Sequence, residues 1–196
     1  FVFDSAAQVV EYNQGTSGKF LYTRYGNPTL SVVEKKVAGL HGAEAALVFS
    51  SGQAATTTAL LALVTGGDEV VCSAAVYGGT LHLLTEVFSK LGVSTRFVRV
   101  EELRDLDAHL SSRTKVVWFE SPINPTLRCV DVGKIAAACR KAGAVSAIDN
   151  TFASSINQPV LSMGIDVSMQ SCTKYLNGHS DVTGGVLSGS SELLAP

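Results

Sequence analysis

The sequence predicts an α/β fold of three layers, αβα, built around a mostly parallel sheet. Three observations carry that expectation. Short apolar runs alternate with helical patterns of about ten to fifteen residues, the signature of βαβ units. Hydrophobic residues make up 46% of the chain and charged residues only 16%, which suits a sheet covered on both faces. Polar clusters follow directly after several apolar runs, where ligands collect in parallel sheets. The 196 residues suffice for one filled core.

Taken in order, residues 1–26 are polar, with Gly, Ser and Tyr, and read as an extended arm. Asn27-Pro28 opens a helix, because proline fits a first helical turn, and Leu30, Val33, Val37 and Leu40 recur at helical spacing before Gly42. A second helix follows the glycine of "SSGQAATTTALLALV". "DEVVCSA" (68–74) is a strand, "GGTLHLLTEVFSKLG" (78–92) a helix, "VSTRFV" (93–98) a strand and 102–110 a short helix. The apolar run "TKVVWFE" (114–120) is a buried strand. "DVGKIAAACRKAG" (131–143) is helical, with Ile135, Ala138 and Cys139 on one face. "AVSAID" (144–149), "IDVSMQ" (165–170) and "GGVLSG" (184–189) are further strands.

A formal charge of −2 gives no electrostatic case for nucleic acid or an acidic membrane. Neither a membrane-spanning run nor a basic segment leading an apolar one is present in the sequence. Cys72, Cys129, Cys139 and Cys172 lack metal-ligand spacing and suit a reduced, cytoplasmic protein with buried thiols. His41, His82 and His109 read as structural or solvated residues. The chain begins without Met and stops after an apolar strand-like run, as a piece of a longer protein would.

Three polar clusters fall at strand ends: "ESPINP" (120–125), "DN" (149–150) and "SCTK" (171–174). Lys174 can be a surface charge, a salt-bridge partner, a phosphate ligand or a Schiff-base nucleophile. Ser171 and Thr173 beside it supply phosphate-binding hydroxyls, and the helix start at "SSGQAA" offers free N–H groups to an anion or is simply an ordinary cap. Asp149 ends an apolar strand, where a carboxylate needs a cation, a metal or a turn to cap. A metal lacks a second ligand, since His179 and Asp181 form only a weak pair. Joined together, these residues describe pyridoxal 5'-phosphate: a phosphate at the helix start, a ring nitrogen on Asp149 and an aldehyde on Lys174. Tyr77 in "VYGGT" stacks on the ring in that arrangement, or is a core or turn tyrosine.

The blocks "YTRYGNPT", "SSGQAA", "VYGGT", "ESPINPTL", "IDNTFAS" and "SCTKYLNGHSDVTGG" run in the order found in the cystathionine γ-lyase / cystathionine γ-synthase family. The chain resembles these pyridoxal-phosphate trans-sulfuration enzymes over nearly its whole length. The resemblance implies the large domain of the aspartate aminotransferase-type fold, with 1–26 as an arm contacting a neighbouring subunit, 27–196 as the cofactor-binding domain and a smaller C-terminal domain lying beyond this chain. It implies that Lys174 holds the cofactor covalently and shuttles protons, that Asp149 pairs with the ring nitrogen, and that Tyr77 stacks on the ring and accepts a proton. Gly52, Gln53, Ser171 and Thr173 hold the phosphate in that scheme, and Asn124 lies near the ring oxygen. Tyr22 and Arg24 reach the phosphate of the neighbouring subunit in a homodimer or homotetramer. Glu120 has no assigned role beyond a strand-end carboxylate.

The implied substrate is a small amino acid, and the implied reaction γ-elimination on cystathionine, with γ-replacement on an acylated homoserine and methionine γ-elimination as alternatives. Gly79 in "YGGT" sets the chain apart from many methionine γ-lyases, which carry a cysteine there. Rival classes fit less well. A nucleotide-binding α/β protein would need GxxxxGK[ST] or GxGxxG after a strand, and a serine hydrolase a GxSxG elbow; the sequence has none of these. An oligomeric scaffold leaves Lys174, Asp149 and the hydroxyls without a purpose.

Overall fold

Apolar residues on both faces of the same strands set the architecture of the computed structural model, which describes residues 1–194. In β4 (Thr114–Glu120), Val116 and Trp118 pack into one core while Val117 and Phe119 pack into another on the opposite face. β2 (Glu69–Ser73) repeats the pattern with Val70 and Cys72 against Val71. A strand apolar on both faces needs a helical layer on each side, and it has one. α3 (Gly52–Leu63) brings Ala55, Ala59 and Leu60 to the first core, and α5 (Val132–Ala142) brings Val132, Ile135 and Cys139 to the second. α2 (Pro28–His41) covers Ala46 and Val186 through Val37 and Ala38. The fold is a three-layer αβα sandwich, as the sequence predicts.

The remaining strands are β1 (Ala45–Phe49), β3 (Ser94–Val98), β5 (Val145–Asp149), β6 (Val167–Ser171) and β7 (Gly185–Gly189). The seven-stranded sheet runs β1-β7-β6-β5-β4-β2-β3. β6, β5, β4, β2 and β3 are parallel, whereas β7 is antiparallel to both its neighbours. β4, β5 and β6 are therefore adjacent and point the same way, so their carboxyl ends, with Glu120, Asp149 and Ser171, form one row.

Helix boundaries follow local chemistry. Asn27 caps α2 by accepting from the N–H groups of Thr29 and Leu30, and Gly42 ends it with φ of 63° in the left-handed region. Asp131 and Gly143 bracket α5 in the same manner. α4 (Gly78–His82) continues through Leu83–Val87 and Phe88–Leu91 as looser and tighter turns. Residues Val100–His109 form short 3₁₀ turns.

Several expectations change. Part of the polar arm is a helix, α1 (Ala6–Asn13), nucleated by Ser5 accepting from Gln8 N–H, with no buried residue. β1 is a strand that the sequence pattern hides, fixed by its pairing with β7. On α2 only Val37 of the four periodic residues is buried; Leu30, Val33 and Leu40 stay 40–44% exposed. Cys129 is exposed rather than buried, while Cys72 and Cys139 are buried and all four thiols are free. His41 is structural: it is buried, its Nε2 lies 3.2 Å from Gln170 Nε2, and burial lowers its pKa to about 4. Among the described residues no helix is long and apolar enough to cross a membrane, and no cluster of His, Cys, Asp or Glu is arranged to hold a metal. Residues 195–196, the last of the expected 27–196 domain, lie outside the described residues.

Candidate active site

The row of strand ends borders a cavity of about 320 Å³, and the polar clusters meet there. Gly52, Gln53, Tyr77, Asn124, Asp149, Ser171, Thr173 and Lys174 all line it, together with Glu120 and Thr151. A wider cleft adjoins it past Lys174, Phe152 and Tyr175. The two remaining sequence candidates, Tyr22 and Arg24, are not brought to this cavity. Arg24 lies over the rings of Tyr22 and Tyr25, at 5.5 and 5.1 Å, on the exposed arm.

One end of the cavity is built from backbone. Ser51 caps α3 by accepting from Ala54 N–H at 3.0 Å, which leaves the N–H groups of Gly52 and Gln53 pointing out of the helix start. Glycines let three segments close around that point. A Cβ on Gly52 would lie 2.9 Å from Ser171 Cβ, and one on Gly185 would strike the Ser51 carbonyl and come within 2.7 Å of Gly52 Cα. Free amides at a helix start, beside the Ser171 and Thr173 hydroxyls, form a cradle for an anion. Thr173 Oγ1 accepts from Gly184 N–H at 3.2 Å and donates to the Gly184 carbonyl at 3.4 Å, so Gly184 holds this side chain in place.

Asp149 lies deeper. It is 8% exposed, and Oδ1 accepts from Thr151 N–H at 3.0 Å and from the Thr151 hydroxyl at 2.5 Å. Burial raises its pKa, against the opposing pull of those Thr151 bonds. Among the described residues no Lys, Arg or His pairs with it. A buried carboxylate with an unused oxygen facing a cavity suits a cationic N–H group from a ligand.

Lys174 interrupts the helical turn Cys172–Leu176 with φ of −99° and ψ of −125°, and it lines both cavity and cleft. Tyr77 precedes α4 and is 57% exposed. Gly79 makes room for its ring: a Cβ there would lie 2.5 Å from Tyr77 Cε1 and 2.8 Å from Gln53 Oε1. A buried carboxylate, free helix-start amides with two hydroxyls, and a lysine amine line one cavity, a donor set that suits the three polar ends of pyridoxal phosphate.

Sequence reasoning missed Thr151, whose hydroxyl donates to Asp149 and accepts from Ser171 N–H at 2.8 Å. A threonine two residues after a strand-end Asp was the available signal. It also missed what Glu120 does. Its carboxylate accepts from Tyr77 N–H at 3.0 Å and Asn124 N–H at 2.9 Å. Burial, then the nearby charge of Asp149, pushes its pKa up to about 7.

The sequence model of the family described as Cys/Met metabolism PLP-dependent enzyme matches residues 1–195. The chain belongs to that family. Cystathionine gamma-lyase of Mus musculus is 44% identical over 179 residues, covering 91% of this chain and 45% of that protein. Cystathionine gamma-synthase 1, chloroplastic, of Arabidopsis thaliana is 37% identical over 196 residues, 100% of this chain and 35% of that one. L-methionine gamma-lyase of Pseudomonas putida is 38% identical over 180 residues, 92% and 45% of the two chains. The chain thus spans less than half the length of these relatives. As a member of the Cys/Met metabolism family it is related to both lyases and synthases at moderate identity, and membership implies a pyridoxal phosphate enzyme.

Proposed function

We propose that this chain is the cofactor-binding large domain of a pyridoxal-phosphate C–S lyase that cleaves cystathionine by γ-elimination. The products are cysteine, 2-oxobutanoate and ammonia, with one water consumed. The observation that carries the reading is that Lys174, the unpaired Asp149 and the α3 start line one cavity. The residues fit the cofactor. The N–H groups of Gly52 and Gln53 and the hydroxyls of Ser171 and Thr173 would hold its phosphate, Asp149 its ring nitrogen, and Asn124 would lie near its ring oxygen. Bound there, pyridoxal phosphate supplies an aldehyde that condenses with amines and a protonated ring that accepts an electron pair from the substrate α-carbon.

The side chains supply the rest. Lys174 Nζ would offer the amine that anchors the cofactor, and as a free amine it would take the substrate α-proton and return protons along the substrate. The Tyr77 ring, which lines the cavity, would cover one face of the bound cofactor, and its phenol would accept a proton from an incoming amine. Asp149, when ionised, would favour a positive charge at the ring nitrogen of the bound cofactor.

The exposed apolar face of α2, with Leu30, Val33 and Leu40, supports a homodimer or homotetramer, and the exposed arm supports service of Tyr22 and Arg24 to a neighbouring site. Four free thiols support a reduced, cytoplasmic setting. γ-Replacement on an acylated homoserine is the second reading, supported by the match of all 196 residues of this chain, at 37% identity, to 35% of the Arabidopsis synthase. Gly79 supports either reading over methionine γ-elimination, since a side chain there requires the Tyr77 ring to move.

The deciding experiment supplies the holoenzyme with cystathionine alone, methionine alone, or acylhomoserine plus cysteine. Formation of 2-oxobutanoate and cysteine from cystathionine, faster than cystathionine from acylhomoserine, is the expected result. Net cystathionine synthesis would replace the lyase by the synthase, and release of 2-oxobutanoate from methionine in preference to cystathionine would replace it by the methionine lyase.

A further inference from the structure

Glu120 closes β4, and its side chain is enclosed at 4% exposure. Its two oxygens serve two separate segments: Oε2 takes the Tyr77 N–H at 3.0 Å, and Oε1 takes the Asn124 N–H at 2.9 Å. Among the described residues no cation pairs with it, and Asp149 lies beside it in register on the next strand. A buried carboxylate beside another is a costly way to satisfy two amides. What it offers is a fork of two acceptors, which a glutamine cannot provide because half of its amide donates. Both tethered residues line the cavity, and α4 behind Tyr77 has no side-chain cap to fix its start.

We propose that Glu120 is a positioning residue of the cofactor pocket, setting the places of Tyr77 and Asn124 through their backbone N–H groups. This assignment rests on the pyridoxal phosphate reading of the cavity and deepens it. Protonation would turn one acceptor of the fork into a donor, so the fork is complete only in the ionised form. The titratable groups facing Glu120 around the cavity are Asp149 on β5, Lys174 after β6 and the Tyr77 phenol before α4. A cationic ring nitrogen on Asp149 offsets the negative charge that Glu120 meets there, so cofactor binding and completion of the fork favour each other.

The test uses the full-length enzyme stripped of its cofactor, as wild type, Glu120→Gln and Glu120→Asp. Each is titrated with pyridoxal phosphate and with pyridoxine 5'-phosphate, which lacks the aldehyde and so removes Lys174 chemistry from the comparison. Glu120→Gln is expected to bind both about tenfold or more weakly, since one buried amide loses its acceptor. It still forms the imine with Lys174, but the circular dichroism of the bound cofactor falls, because the ring is held less firmly. The rise of wild-type affinity for pyridoxine 5'-phosphate through neutral pH, to which Asp149 also contributes, becomes shallower in Glu120→Gln and keeps its wild-type steepness in Glu120→Asp. Affinity within about twofold of wild type, with unchanged dichroism, overturns the assignment. So does failure of Glu120→Gln to fold, which would make the carboxylate purely structural. If wild type binds neither compound, the cofactor reading falls and this inference with it; normal wild-type binding with an unaffected variant overturns Glu120 alone.

Discussion

Glu120 makes the cofactor-free protein less stable as pH rises, and Glu120→Gln removes that dependence. The folded-state pKa is pushed from 4.5 up to about 7, chiefly by burial and then by Asp149. The folded state therefore holds a proton that the unfolded chain has released between those two values. The stability linked to this proton is fully present below 4.5 and is lost as pH rises to about 7. At about 1.36 kcal/mol per pKa unit the displacement corresponds to about 3 kcal/mol, and solvent at the open side of the cavity reduces this to about 2 kcal/mol. Asp149 has a raised pKa as well and slopes the same way, so the informative quantity is wild type minus Glu120→Gln. Urea unfolding of the cofactor-free protein, followed by emission of the one tryptophan, Trp118, reads it, because that side chain is fully buried in β4 two positions from Glu120. The difference should shrink by about 2 kcal/mol from about pH 5 to about pH 8. A constant difference, or one that grows with pH, refutes the argument that burial dominates the Glu120 environment.

Thr151→Val keeps the shape of the side chain but removes a hydroxyl that serves both Asp149 and Ser171. Chemical unfolding should show a loss of about 1–2 kcal/mol, with weaker cofactor retention measured by gel filtration. Arg24→Ala should lose activity through the neighbouring site. Mixing it with Lys174→Ala and allowing the subunits to exchange should restore about a quarter of wild-type activity, because half the dimers are mixed and each mixed dimer has one intact site. Activity that stays absent on mixing would place Arg24 outside a shared site.

The elements with chemical punctuation were legible before the structure. Asn27-Pro28 and Gly42 mark both ends of α2, and Asp131 and Gly143 those of α5, because caps act within a few residues. β1 was hidden, since "EAALVF" has no alternation and becomes a strand only by pairing with β7, some 140 residues later in the register Ala45 to Gly189. On α2 the periodicity of Leu30, Val33 and Leu40 revealed an apolar face, but a period does not say what covers it, and among the described residues these three stay 40–44% exposed. The site was legible for a topological reason. Glu120, Asp149 and Ser171 each end a strand, and parallel neighbours bring such ends together. The role of Glu120 was not legible, because it lies in a bond to a backbone amide 43 positions away, which carries no side-chain signature. Thr151 was passed over because its hydroxyl works between two strands, and only the fold places Ser171 N–H beside it.

The central claim is that Lys174 carries pyridoxal phosphate in this cavity. Borohydride reduction of the holoenzyme followed by peptide mass analysis tests it most directly. A phosphopyridoxyl group is expected on the peptide containing Lys174, with loss of both the label and the visible imine band in Lys174→Ala. A label on another lysine, or an imine band that survives in Lys174→Ala, would contradict it.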